Sequence, residues 1–235
     1  MKSENILVIG SKPNSIIPKL FFKKIYTANG AAERAISYRK KNPKVTLTCL
    51  CGAAEFARNF RVKRRIIKSK PERLIIRSGK ISLPKELINR TKLVCLSNQK
   101  QLDFQKKFFN FKSFSIIQGE YYYHEKYLKK IFHLLKCIKN NSFQGVSTGF
   151  YSILMAIKEN PNSNIIISGI GMSGGVQFYK SKRSRSFVYD SRARVDRFLM
   201  TKMHKDLKKH LFSSDKELVL NSGVNLLVKN SLGQF

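Results

Sequence analysis

NNSFQGVSTGFYSILMAIKENPNSNIIISGIGMSGG, residues 140–175, sets two clusters of small residues around an apolar helix and an apolar strand. YSILMAIKEN carries apolar residues at helical spacing, PNSN is a turn, and NIIISGIG is a short unbroken apolar run ending in glycine. A run of that kind is a strand buried on both faces, which points to a parallel sheet covered by helices.

The same order recurs upstream. NILVIG at 5–10 reads as a buried strand entering the loop SKPNS. KIYTAN at 24–29 gives way to the helical GAAERAISYRKK, and VTLTCLCG at 45–52 to the helical AAEFARNFRVKR. Three such units predict an α/β fold: a single Rossmann-like domain over residues 1–235 with a mostly parallel sheet flanked by helices. RLIIRSG (73–79) and KLVCLSN (92–98) supply further strands, and FSIIQG (114–119) is another candidate. An amphipathic helix is expected over 121–140, with Tyr127, Ile131, Leu134, Leu135 and Ile138 on one side.

Residues 180–212 form a basic, lid-like segment. KSKRSRS lacks periodicity and reads as a loop. RVDRFLMTKMHKDLKKHLF reads as a helix with Val195, Leu199, Met203 and Leu207 along one stripe. KELVLNSG and VNLLVKN form a last strand pair, closing the sheet or pairing as a hairpin.

Composition narrows the partners. Lys and Arg number 46 against 14 acids, a net charge of +32 that favours an anionic partner. Nucleic acid, an anionic membrane surface, an acidic polysaccharide and a nucleotide donor all satisfy that electrostatics. No RNP aromatic signature, zinc spacing or helix-turn-helix signal supports nucleic acid. No apolar run approaches the roughly 18 residues of a membrane span. MKSENILVIG enters a strand directly rather than a secretory leader, so the expected location is cytoplasmic. Cys49, Cys51, Cys95 and Cys137 lack CxxC spacing and read as reduced, buried thiols. The five Asp residues form no DxD pair, so no metal site and no cofactor are expected.

In an open parallel sheet, ligands bind where loops and helix starts meet the carboxyl ends of the strands. Gly10 to Ser15, Asn29 and Gly30, Gly52, Ser147 to Gly149, and Gly169 to Gly175 all fall there. VIGSKPNS, TAN and STGFYSILMAIKENPNSNIIISGIG together resemble the bacterial sialyltransferases of the Campylobacter type, glycosyltransferase family 42-like enzymes that use a CMP-activated acidic sugar. The resemblance covers about half the chain, with nothing comparable over 55–135. It implies donor binding by Gly10, Ser11, Pro13 and Asn14, with Lys12 where a glycine is usual, and by Asn29, Ser147, Thr148, Gly149 and Gly169. It also implies tyrosine hydroxyls on the departing phosphate, for which Tyr179 and Tyr189 are the counterparts.

The family's histidine base has no counterpart before the last helix. Asp190 is the preferred candidate and His204 the second; loss of the base, with an inactive chain or different acceptor chemistry, is the third reading. The resemblance implies a GT-A-like variant of the fold and inverting, metal-independent transfer of a sialic-acid-like or octulosonate-like sugar from CMP to a hydroxyl of a cell-surface glycan (lipooligosaccharide or capsule), by a protein peripheral on the inner face of a bacterial inner membrane. A nucleic-acid-binding α/β protein is the alternative. A methyltransferase fits less well, because Asn29 stands where an acidic ribose ligand is wanted and Glu33 is a turn away. A homo-oligomer is compatible with either reading.

Overall fold

The computed structural model describes residues 3–109, 128, 146–172, 177–178 and 187–228. Among these residues eight strands form one sheet: β1 (Asn5–Ile9), β2 (Lys24–Ala28), β3 (Thr46–Gly52), β4 (Arg73–Arg77), β5 (Lys92–Leu96), β6 (Asn164–Ser168), β7 (Leu211–Ser213) and β8 (Asn225–Leu226). Their order is β5-β4-β3-β2-β1-β6-β7-β8, and every pairing is parallel. The chain is therefore a Rossmann-like α/β protein with helices on both faces of a parallel sheet.

The helices are α1 (Ala35–Lys41), entered through a 3-10 turn at Asn29–Arg34, α2 (Ala53–Arg58), α3 (Phe60–Ser69), α4 (Asn98–Lys106), α5 (Thr148–Glu159), α6 (Phe187–Lys202), α7 (Lys205–Lys208) and α8 (Lys216–Ser222). Strand alternation sorts the core into two clusters. Ile6 and Val8 of β1 and Ile165 and Ile167 of β6 pack with α4, α5, α6 and α8 through Phe104, Phe150, Leu199 and Leu218. Leu7, Ile9 and Ile166 face the other way, packing with Ala32, Ala35, Phe56, Val62 and Ile66 of the first-half helices. Helices thus change faces after β5, and strand order reverses between β1 and β6. All five residues of each of these two strands are buried, which explains their unbroken apolar runs.

Three sequence expectations change. The helix expected from residue 53 to 64 breaks at Asn59, whose side chain accepts the Val62 amide and caps a separate α3. The helix expected over 194–212 starts at Phe187 and ends at Lys202, and 211–213 is a strand. The apolar stripe itself holds: Leu199 and Met203 are buried in the first cluster, with Val195 and Leu207 packed against it.

KELVLNSG is a helix, not a strand. Asp215 accepts the Glu217 amide at its start, and Gly223 ends it with φ +69, the left-handed C-cap. Helical spacing buries Leu218 and Ser222 and leaves Leu220 exposed, whereas a strand would set Leu218 and Leu220 on one face. No hairpin follows, since β8 joins β7 in parallel. The expected strand at 114–119, the helix at 121–140 apart from Leu128, the loop at 180–186 and Cys137 lie outside the described residues.

Candidate functional site

Strand order reverses between β1 and β6, and there the carboxyl ends of the two strands touch. Gly10 donates its amide to Ser168 O (2.8 Å), and Lys12 donates its own to Gly169 O (2.8 Å). A Cβ on Gly10 would lie 2.6 Å from the Gly169 carbonyl carbon and closer still to its oxygen. Gly169 has φ +71, and a Cβ there would meet Ser15 Oγ at 2.5 Å and Gly10 O at 3.0 Å. Both glycines are needed so that the two chain segments can pass this closely. Gly10 and Gly169 are thus brought together, and Gly10 is buried.

The loop after Gly10 is held from both sides. Ser15 donates its hydroxyl to Lys12 O (3.0 Å), and Asn14 turns the chain with φ +57, a conformation asparagine tolerates. Arg34, from the 3-10 turn after β2, donates to the hydroxyl and carbonyl oxygens of Ser15. Ser11 O accepts the Phe178 amide (3.0 Å), and the Phe178 ring faces the guanidinium groups of Arg34 and Arg65 at 6.0 and 5.2 Å.

Lys12 departs from the expected glycine and crosses 203 residues of sequence to donate to Asp215 Oδ2 (2.8 Å) and, at the same helix start, to Glu217 Oε2 (2.7 Å). Burial disfavours its charge, but the hydrogen bonds to the two carboxylates outweigh that and raise its pKa above 10.5. Lys12 thus ties the β1 loop to the start of α8 and closes one wall of a cavity.

That cavity has a volume of about 740 Å³, within the range of small-molecule sites. Pro13, Asn14 and Ser15 line it from the β1 loop, Ser168 and Gly169 from the end of β6, and Asp215 from the turn after β7. Its outer walls are Ile16, Pro18 and Leu20 on one side and Leu227 and Val228 on the other. Three residues expected to bind a donor, Pro13, Asn14 and Gly169, are therefore gathered in one cavity.

Asn29 stands at the adjacent strand end. Ile9 pairs with Thr27, so Asn29 is level with Ser11 across the β1–β2 pair. Its φ is +52, and its Oδ1 is buried with no hydrogen-bond partner among the described residues. A buried carbonyl oxygen without a donor is costly, and a ligand N–H or O–H arriving there would satisfy it.

The start of α5 is built differently from expectation. Ser147 caps the helix by accepting the Phe150 amide (3.1 Å), as STG suggests, but its own amide donates to Asp196 of α6 (2.9 Å). Asp196 is buried, so the positive helix end already faces a carboxylate of this chain. Thr148 Oγ1 lies 3.3 Å from Nη1 of Arg77, which sits at the end of β4. Arg77 also donates to Gln101 Oε1 (2.9 Å) and Val146 O (3.0 Å), with its guanidinium 4.4 Å above the Tyr151 ring. A Cβ on Gly149 would meet Ile170 at 3.4 Å. Ser147, Thr148 and Gly149 are therefore half-buried and do not line the cavity.

Tyr179 lies outside the described residues. Tyr189 and Asp190 fall in the first turn of α6, and their side chains also lie outside the described set. The sequence places Asp190 in a loop ahead of the helix, whereas α6 has already begun at Phe187. His204 lies after α6, where its amide donates to Phe108 O, shortly before β7 begins. His204 does not line the cavity. Among the described residues, no group of three His, Cys, Asp or Glu side chains could hold a metal ion, and no helix is long and apolar enough to cross a membrane.

Arg34, Phe178, Arg77, Asp196 and the Lys12–Asp215–Glu217 cluster escape sequence reasoning. Each acts across a long sequence separation, and no local motif marks it. No family model, curated protein or solved structure matches this chain, so its own geometry carries the functional reading.

Proposed function

We propose that this chain is an inverting, metal-independent glycosyltransferase that moves an acidic sugar from a CMP donor to a hydroxyl of a glycan acceptor. The observation that carries this reading is the cavity of about 740 Å³ at the strand reversal, formed by Pro13, Asn14 and Gly169. Asn29 offers an unpaired buried oxygen at the neighbouring strand end. Motif order along the sequence supports CMP as the nucleotide.

In this reading the acceptor hydroxyl attacks the anomeric carbon, a base takes its proton, and CMP departs with the bonding electron pair. Asp190 is the base and Tyr179 and Tyr189 donate to the leaving phosphate; Tyr189 and Asp190 stand in the first turn of α6. His204, which does not line the cavity, is the second candidate.

The experiment is a thermal melt with CMP, followed by incubation with CMP-sialic acid or CMP-octulosonate and measurement of free CMP. Ligand at about 100 times its Kd stabilises by about 2.7 kcal/mol, a rise of roughly 5–10 °C for a chain of this size. Absence of both a shift and CMP release overturns the proposal, and a shift without release leaves only nucleotide binding. The net charge of +32 favours one rival, a nucleic-acid-binding protein. Salt-sensitive retention on RNA without any response to CMP would establish it.

A further inference from the structure

Between β1 and β2 no helix forms. Residues 11–23 instead run as an irregular segment from the carboxyl edge, where Ser168 Oγ donates to Ile16 O (2.7 Å), to the amino edge, where Lys23 donates its amide to Asn5 O (3.0 Å). The segment crosses the sheet in place of a crossover helix. Its inward residues are Ile17, Leu20 and Phe22, which pack in the same cluster as Ile166 of β6 and Phe212 of β7.

Its outward residues are Ile16, Lys19, Phe21 and Lys23. Ile16 is 73% exposed and Phe21 67%, among the most exposed large apolar side chains described. Lysines alternate with them, and no acidic residue occurs anywhere from Asn5 to Ala32. Lys23 pairs with Glu4, whereas Lys19 is exposed with no acidic partner among the described residues.

An exposed stripe in which bulky apolar side chains alternate with lysines suits an interface that is apolar below and anionic above. Apolar groups enter the acyl boundary while ammonium groups stay at the level of the headgroups. A second copy of this chain is a poor occupant, because two molecules of charge +32 repel. The geometry points to the Ile16–Lys23 stripe as a docking surface for a bilayer carrying anionic headgroups. Ile16, Pro18, Lys19 and Leu20 also line the cavity, so docking sets the cavity mouth against the membrane. This inference goes beyond the transferase reading and does not depend on nucleotide turnover.

The test is co-sedimentation of the full chain with phosphatidylcholine vesicles, with and without phosphatidylglycerol, in the absence of nucleotide. Ile16→Gln and Phe21→Gln keep the net charge and change solvent-facing side chains. Leu220→Gln, at an 85% exposed site on α8, is the matched control. The expected result is binding that requires phosphatidylglycerol, falls about tenfold in each stripe variant and is unchanged in the control. Measurements are made below the melting temperature of every variant, so a fold defect cannot imitate the loss. The inference is overturned if wild-type protein ignores anionic vesicles, if the stripe variants bind like wild type, or if the control falls equally. Retention on RNA in place of vesicles also overturns it.

Discussion

Gly10→Ala is the sharpest probe of the strand reversal. The added methyl would stand 2.6 Å from the Gly169 carbonyl carbon and 2.5 Å from Ile170 Cγ1. Ile170 can change rotamer, but the Gly169 backbone is fixed by the Lys12 amide bond to its oxygen. Overpacking against an immovable partner costs about 3 kcal/mol, and loss of the Lys12 bond adds about 1 kcal/mol. A total on the order of 4 kcal/mol lowers the melting temperature by roughly 8–16 °C for a chain of this size. Gly52→Ala serves as the control, because a Cβ there meets only Glu55 Cβ at 3.9 Å and its φ is −70. It is expected to stay within about 1 kcal/mol of the parent. Urea unfolding of both variants, with the slope compared to confirm an unchanged transition, supplies the free energies. If Gly10→Ala unfolds at the same urea concentration as Gly52→Ala, the two strand ends do not touch in the way described.

Asp196→Asn replaces the buried carboxylate that accepts the Ser147 amide and is expected to lower stability by about 2–3 kcal/mol, measured by the same urea series. Wild-type stability leaves α5 insensitive to that charge and would refute the assignment. Alkaline pH should destabilise the protein in a defined window. Burial pushes the Cys49 thiol from 9.0 up to about 11 and Tyr151 from 10.0 up to about 12, so the unfolded chain loses these protons first. Lys12, raised above 10.5, stabilises the fold below that pH and ceases to do so as pH rises through its folded value. The urea midpoint is therefore expected to fall between pH 9 and 11, with a shallower fall in Cys49→Ala. A midpoint constant across that range would contradict the burial of these groups.

Strands were the most legible part of the fold because parallel strands buried on both faces leave unbroken apolar runs, as in NILVI and NIIIS. KELVLNSG misleads because Leu218 and Leu220 alternate like a strand, while the decisive signals, Asp215 and Gly223, sit at its borders. Asn59 is a similar case, a capping residue hidden inside a plausible helical stretch. At the site, Pro13, Asn14 and Gly169 were legible because they follow apolar strands directly. The Lys12–Asp215 contact and the Ser147–Asp196 contact were not, since they join segments 203 and 49 residues apart. His204 reads as lying a turn or more into a helix that starts near Arg194, whereas α6 starts at Phe187 and His204 falls in the break before α7.

The two ends of α5 are fastened to the first half of the chain. At its start Arg77 reaches Val146 and Thr148, and at its end Glu159 accepts from both Tyr26 and Arg73 while Asn160 donates to Tyr26. A fragment stopping after α4 would keep Arg73 and Arg77 at the two ends of β4, and Arg77 its bond to Gln101, but lose the Glu159 carboxylate and the Val146 carbonyl that also receive them. Those guanidinium groups would then confront a bare apolar sheet surface. The halves of this molecule are consequently not interchangeable modules. They form an interlocked pair, in which the first half acquires its finished surface only when α5 settles across it.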